Sequence, residues 1–187
     1  MSALYPIVTD RLILRRLLLD DFEALHAFLS LPEVAQYQFW EPMDRDKVAE
    51  KLADWMTLDG EEGRHLELGV VLKSSGRLIG DVFLGFRDLE ARQGEIGFSL
   101  HPDVQRQGYG FEAVGALIDL GFEHYALHRI FGRCDARNPA SYKLMEKLGM
   151  RREAHFREHA LFKGGWDEEY YYAILEHEWR AKNGPAS

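Results

Sequence analysis

The sequence predicts one mixed α/β domain, a single sheet with helices on both faces. Three observations carry this expectation. Two amphipathic helical stretches come first, alternating strands fill the middle, and the last part runs β-α-β-α-β-β. At 187 residues the chain has the size of one domain. No repeat, low-complexity tract or Pro/Gly/Ser-rich linker divides it, so residues 1–187 are expected to form one unit with 179–187 as a flexible tail.

Taken in order, Leu12, Leu14 and then Leu17 suggest a first strand. Asp20-Asp21 is placed to cap a helix in which Phe22, Leu25, Phe28 and Leu29 share a face, and Pro32 is expected to end it. Asp44 suits the N-cap of a second helix carrying Val48, Leu52, Trp55 and Met56, stopped near Gly60. Residues 65–72 and 77–86 read as strands around a Ser74-Ser75-Gly76 turn, and 95–100 as another. Phe111, Val114, Leu117, Ile118, Gly121, Phe122 and Tyr125 then return to helical period. A strand follows around Ile130. Next comes a helix with Leu144, Met145 and Leu148 on one side, begun by Asn138 and Pro139 and closed by Gly149. Strands near 150–161 and 167–175 finish the fold.

Composition excludes several function classes. The formal charge is −8, and the basic clusters, Arg15-Arg16 and Arg151-Arg152, are only pairs. A nucleic-acid binder shows a basic stripe, so no nucleic acid is expected as a partner. An acidic surface favours a cationic acceptor such as an amine. No apolar run is long enough to cross a bilayer, and the start lacks a signal peptide's apolar region and cleavage site. No membrane partner is expected, and the expected location is cytoplasmic. Cys134, the only cysteine, fits a reducing compartment and is expected to be a small buried hydrophobe rather than a nucleophile. His101, His155 and His159 lack a familiar metal-ligand spacing, so no metal is assigned.

The most informative segment is Val104-Gln105-Arg106-Gln107-Gly108-Tyr109-Gly110, which follows a strand and opens a helix. Amides at a helix start lack intrahelical partners, and the helix dipole makes that end partly positive. Glycines there let backbone approach a phosphate closely, so the loop suits a pyrophosphate. It is neither G-x-G-x-x-G nor G-x-x-x-x-G-K-[ST], which disfavours a Rossmann dehydrogenase and a Walker-type NTPase.

The spacing Gln105-x-x-Gly108-x-Gly110 resembles the pyrophosphate signature of the GNAT superfamily of N-acetyltransferases. Asn138-Pro139-Ala140-Ser141, closing with Glu146-Lys147-Leu148-Gly149-Met150, resembles its second signature. Thr9-Asp10-Arg11-Leu12-Ile13-Leu14-Arg15 and Gly165-Trp166-Asp167 resemble the RimJ/RimL branch, which includes ribosomal-protein N-terminal acetyltransferases. The resemblance implies a mostly antiparallel sheet splayed in the middle, with acetyl-CoA as donor; succinyl-CoA or another acyl-CoA would fit the same loop. It implies that backbone near Leu100 and Val104 pairs with the pantetheine arm. Residues Gln105, Arg106, Gln107, Gly108, Tyr109 and Gly110 would hold the pyrophosphate, and Asn138 and Ser141 would lie along the thioester end. Asn138 could equally be a pure helix cap. A homodimer is common in that branch.

The implied chemistry is acetyl transfer to a primary amine, a protein N-terminus or a small molecule, by direct attack in a ternary complex. An alkyl ammonium, with a pKa near ~10, must first lose a proton. Glu95 is the expected base, acting through water, with Gly97 and Ser99 leaving a cleft on its face; its alternative is a solvated or ion-paired surface residue. Many superfamily members place a tyrosine acid where this chain has Met145. Ser141 is the expected substitute donor, and Tyr142 is expected to point elsewhere. Met145 also keeps open a non-catalytic acyl-CoA sensor. Phe39-Trp40 and Trp55-Met56 line the acceptor pocket or belong to the core, and the 39–44 and 155–166 segments are expected to frame the acceptor side.

Overall fold

The computed structural model describes residues 5–60 and 65–184. Its strands are β1 (Ile7–Val8), β2 (Leu12–Arg15), β3 (Leu66–Leu72), β4 (Leu78–Asp88), β5 (Gln93–Leu100), β6 (Arg129–Asp135), β7 (Arg151–Phe162) and β8 (Gly165–Leu175). They form one eight-stranded sheet in the order β1-β2-β3-β4-β5-β6-β8-β7. Its helices are α1 (Phe22–Leu29), α2 (Pro32–Ala35), α3 (Arg45–Trp55), α4 (Tyr109–Glu123), α5 (Pro139–Leu148) and α6 (Glu176–Asn183). None is long and apolar enough to cross a membrane.

Every strand pairing is antiparallel except that of β5 with β6, where α4 forms the crossover that a parallel pair requires. The expected mixed, mostly antiparallel sheet is therefore observed. The parallel ladder is short, running only from Gln93 opposite Arg129 to Ile96 opposite Gly132. Both strands continue beyond it without pairing to each other. Residues 94–96 are buried where the ladder holds, and 97–100 are half-buried where it has parted.

The sheet separates two cores. On one face Ile96, Ile130 and Tyr172 pack with Val114, Leu117 and Ile118 of α4 and Met145 and Leu148 of α5. On the other, Leu17, Val71 and Leu78 pack with Leu25, Phe28 and Leu29 of α1 and Val48 and Leu52 of α3.

Two local expectations are corrected, those for Asp21 and for the carboxy-terminal tail. Asp21 stands before α1, but its carboxylate accepts from both Arg15 Nη atoms at 2.7 Å and from the Leu18 amide at 2.8 Å instead of capping the helix. Helix α1 ends before Pro32 as expected, with Leu31 extended, and Pro32 then opens α2, as a residue with no N–H to leave unsatisfied can. The described part of the expected tail is α6. Glu178 accepts from the Leu175 amide at 2.9 Å, and Trp179, 7% exposed, donates from Nε1 to Asp119 at 2.7 Å. Residues 185–187 lie outside the described residues. Asp44 caps α3 as expected, accepting from the Lys47 amide at 2.8 Å.

Burial of a large aromatic with its polar atom satisfied makes α6 part of the fold. Trp179→Ala is expected to lower unfolding stability by about 3 kcal/mol, measured by urea titration; an unchanged midpoint would return this segment to the status of a tail.

Candidate active site

The loop before α4 is built from strained and open backbone. Pro102–Val104 makes a short 3-10 turn, Arg106 has φ +61°, and Gly108 has φ +86° as the N-cap of α4. A side chain at Gly108 would be strained, and its Cβ would stand 3.3 Å from Arg11 Nη2. With glycine at the cap there is no side chain to accept from the first amides of α4, so these donors face outward as a ready anion site. Gly110 also sits close, its missing Cβ 3.3 Å from Leu100 and Leu144 side-chain carbons.

Arg11 clamps this loop. It donates to the Gln107 carbonyl at 3.0 Å, lies 4.5 Å over the Tyr109 ring and pairs with Glu112 at 2.7 Å. Glu112 also accepts from the Thr9 hydroxyl at 2.6 Å and the Arg11 amide at 2.7 Å. Burial opposes its charge, but these donors prevail and hold the carboxyl below the usual range. The amino-terminal Thr9-Asp10-Arg11 motif thus positions the first turn of α4. Gln105 and Gln107 turn back onto the Leu100 and Asp103 carbonyls at 3.1 and 3.0 Å. Val104 is buried, and its amide donates to His101 within the turn.

A cavity of about 370 Å³ opens where β5 and β6 part. Strand register decides which side chains face it. Ser99 stands opposite Asp81, Gly97 opposite Phe83, and Phe83 opposite Glu67. These residues share one face with Glu95, and β6 adds Arg133 by the same alternation. Asn138, Ser141 and Met145 close the α5 end, and Tyr37, Gln38, Phe39 and Trp40 line the opposite wall with Lys51, Asp54 and Trp55 of α3. Gly97 leaves no empty cleft: the Phe83 ring occupies the space a Cβ would need.

Glu95, Ser141 and Asn138 therefore meet in one cavity, whereas the 105–110 loop lies beyond the end of β5. Glu95 is 5% exposed, with Arg87 Nε 2.6 Å from Oε2 and Arg133 Nε 2.8 Å from Oε1. Asn138 is a cap, accepting from the Ser141 amide at 3.2 Å, and a cavity residue at once. Cys134 is buried beside the Ser141 hydroxyl. Burial pushes its thiol up to about 12, which makes it a poor nucleophile. Met145 packs on Gly132 and offers no proton, and Tyr142 turns to Tyr170 at a ring separation of 5.7 Å. His159 directs one ring nitrogen to Asp167 at 3.1 Å and the other to Glu169 at 3.5 Å.

The segments expected to frame the acceptor are tied together. Lys163 donates to the Ala35 and Trp40 carbonyls at 2.7 and 2.9 Å, and Phe162 meets Phe39 edge-on at 5.7 Å. Phe39 and Trp40 reach the cavity; the β7–β8 hairpin supports them from behind. Glu67, Asp81, Arg87, Arg133 and Tyr37 are cavity residues that the sequence reading passed over. A signal existed for the first two, since Glu67 is the lone charged residue of β3 and Asp81 interrupts the apolar first part of β4.

A parted strand pair leading to a glycine-capped helix, above a chamber of acids and arginines, is the arrangement of an acyltransferase acting on amines. The chain is an N-acetyltransferase and belongs to the GNAT family, whose acetyltransferase domain matches residues 11–151. It is 34% identical over 174 residues to the uncharacterized N-acetyltransferase YnaD of Bacillus subtilis, covering 92% of this chain and 98% of that protein. A crystal structure of a GNAT-family acetyltransferase from Bacillus anthracis superposes with a TM-score of 0.84 at 31% identity, covering 92% and 99% of the two chains. The ribosomal protein uS5-alanine N-acetyltransferase of Escherichia coli is 27% identical over 84 residues, 45% of this chain and 43% of that protein.

The clamp on Glu112 has a pH signature. Its folded value is depressed, so its contribution is present above the ordinary glutamate range and is lost as pH falls through the folded value. Glu112→Gln is expected to lower the melting temperature at neutral pH, with the gap to wild type closing in acid; a gap independent of pH would contradict the clamp.

Proposed function

We propose that this chain moves an acetyl group from acetyl-CoA to a primary amine by direct attack in a ternary complex. One observation carries the reading: the parting of β5 from β6 joins the loop at the start of α4 to a chamber lined by acids. Acetyl transfer to amines is the chemistry of the family; the assignment of donor and residues here is ours. The outward amides of the 105–110 loop and α4 suit the pyrophosphate, with Gly108 keeping the approach clear. Backbone at Leu100 and Val104 would border the pantetheine arm, and Asn138 and Ser141 the thioester.

Ser141 is the proposed proton donor to the departing thiolate, since Met145 cannot serve. We read Glu95, expected as the base, as the anchor that fixes Arg87 and Arg133 in the chamber wall, because both its oxygens are committed to them. The acceptor is a protein N-terminus or a small amine. The RimJ/RimL-like motifs and the likeness to the uS5-alanine enzyme favour the first, with a homodimer as in that branch.

Thermal-shift titration with acetyl-CoA, CoA, succinyl-CoA, ATP and NAD, beside Gly108→Trp, tests the donor. A ligand at 100 times its dissociation constant stabilises the fold by about 2.7 kcal/mol. A shift with CoA species alone, absent in the variant, is the expected result; stabilisation by ATP or NAD instead would sink the assignment.

A further inference from the structure

We infer that Glu67 and Asp81 form the cation-receiving end of the acceptor chamber, taking a primary ammonium group and holding the proton it gives up. This rests on the acetyl-transfer reading above and deepens it.

The two carboxyls stand on neighbouring strands of the chamber face. Glu67 is opposite Phe83, and Asp81 is two residues along the same strand, a diagonal that side chains of this length span. They are 5% and 6% exposed, and both line the cavity. The two carboxyls are close enough for each to influence the other's charge. Among the described residues no donor reaches Glu67 Oε1 or Asp81 Oδ1.

The contrast with Glu95 is chemical. That carboxylate shares the same face and is paired with two guanidinium groups, whereas among the described residues no ion pair is formed by Glu67 or Asp81. The other charged or titratable groups of the chamber are Tyr37 after α2, Lys51 and Asp54 on α3, His65 ahead of β3, Arg87 on β4, and Arg133 and Cys134 on β6. Arg87 is turned to Glu95, and His65 stacks with Phe83 at 6.2 Å. A buried carboxylate without a counter-ion is costly, so such a group holds a proton or meets a cation. Burial pushes the Asp81 carboxyl up to about 7 and lifts Glu67 further above its ordinary range, with the neighbouring Asp81 adding to the effect. Asp81 is thus poised to exchange a proton near neutral pH. A proton acceptor poised near the operating pH is what deprotonation of an ammonium requires.

The step balances. An N–H bond of the ammonium breaks as an O–H bond forms on Asp81. The freed nitrogen lone pair attacks the thioester carbonyl carbon; a C–N bond forms, and the C–S bond breaks with its electrons on sulfur. The second N–H proton ends on that sulfur, through Ser141 in its proposed role, giving amide and thiol. Asp81 then returns its proton to solvent.

The test uses Asp81→Asn and Glu67→Gln in the full chain. Acetyl-CoA binding by calorimetry is expected to be the same in all three proteins. With benzylamine, protonated at neutral pH, kcat/KM is expected to fall about 100-fold in Asp81→Asn. With aniline, already unprotonated, it should fall less than about threefold. A third measurement needs no acceptor. The folded value of Asp81 is raised, so its contribution to stability is present in acid and is lost as pH rises through about 7. Wild type should lose melting temperature over that interval, and Asp81→Asn should not. Equal losses with both amines, or identical stability profiles in wild type and variants, would overturn the inference. A wild type that fails to bind acetyl-CoA would instead overturn the donor reading, and this one with it. Retained binding with unchanged turnover would overturn the carboxyl pair alone.

Discussion

The parting of β5 from β6 after Ile96 and Gly132 is the constraint on which the rest of the structure depends. Backbone amides and carbonyls in a protein interior need partners. Here β5 keeps β4 on one edge through Leu100, while its other edge faces a cavity. The crossover through α4 makes the pair parallel and sets the helix start just beyond the end of the opened strand. One topological choice therefore supplies both an unpaired strand edge and a cluster of outward amides, in line, which is what an extended anionic cofactor needs.

The charge distribution follows from the same geometry. Alternation sends one set of side chains into the core beneath α4 and the other into the chamber. On the chamber side Arg87, Glu95, Arg133 and Glu169 form a chain of contacts, with Arg133 also 4.6 Å over the Phe39 ring. Such a chain compensates its own charges and makes a rigid wall. Glu67 and Asp81 lie outside it, which separates a structural set of ions from a pair still able to exchange protons. The 37–40 wall of the chamber is held in position by Lys163 from the β7–β8 hairpin.

Much of this was legible in the residues. Period gave α3, α4 and α5, and Asp44, Asn138, Gly108 and Gly149 occupy the caps their chemistry suits. Strand register across non-neighbouring segments was not legible, because alternation within a strand does not say which strand lies beside it. For that reason Glu95 could be assigned to the chamber while its partners, Arg87 and Arg133, could not. The α6 helix was missed because Trp179 is its one buried residue, too little to register as a periodic face. Asp21 was misjudged because Arg15, six residues earlier, competes for its oxygens more strongly than helix amides do.

The opened edge of β5 and the glycine-capped start of α4 are proposed to receive acetyl-CoA together. Hydrogen–deuterium exchange with and without acetyl-CoA tests it most directly. Amides of residues 97–100 and 105–111 should gain protection together, with those of β1 to β3 unchanged. Protection confined to other segments, at saturating ligand, would contradict the account.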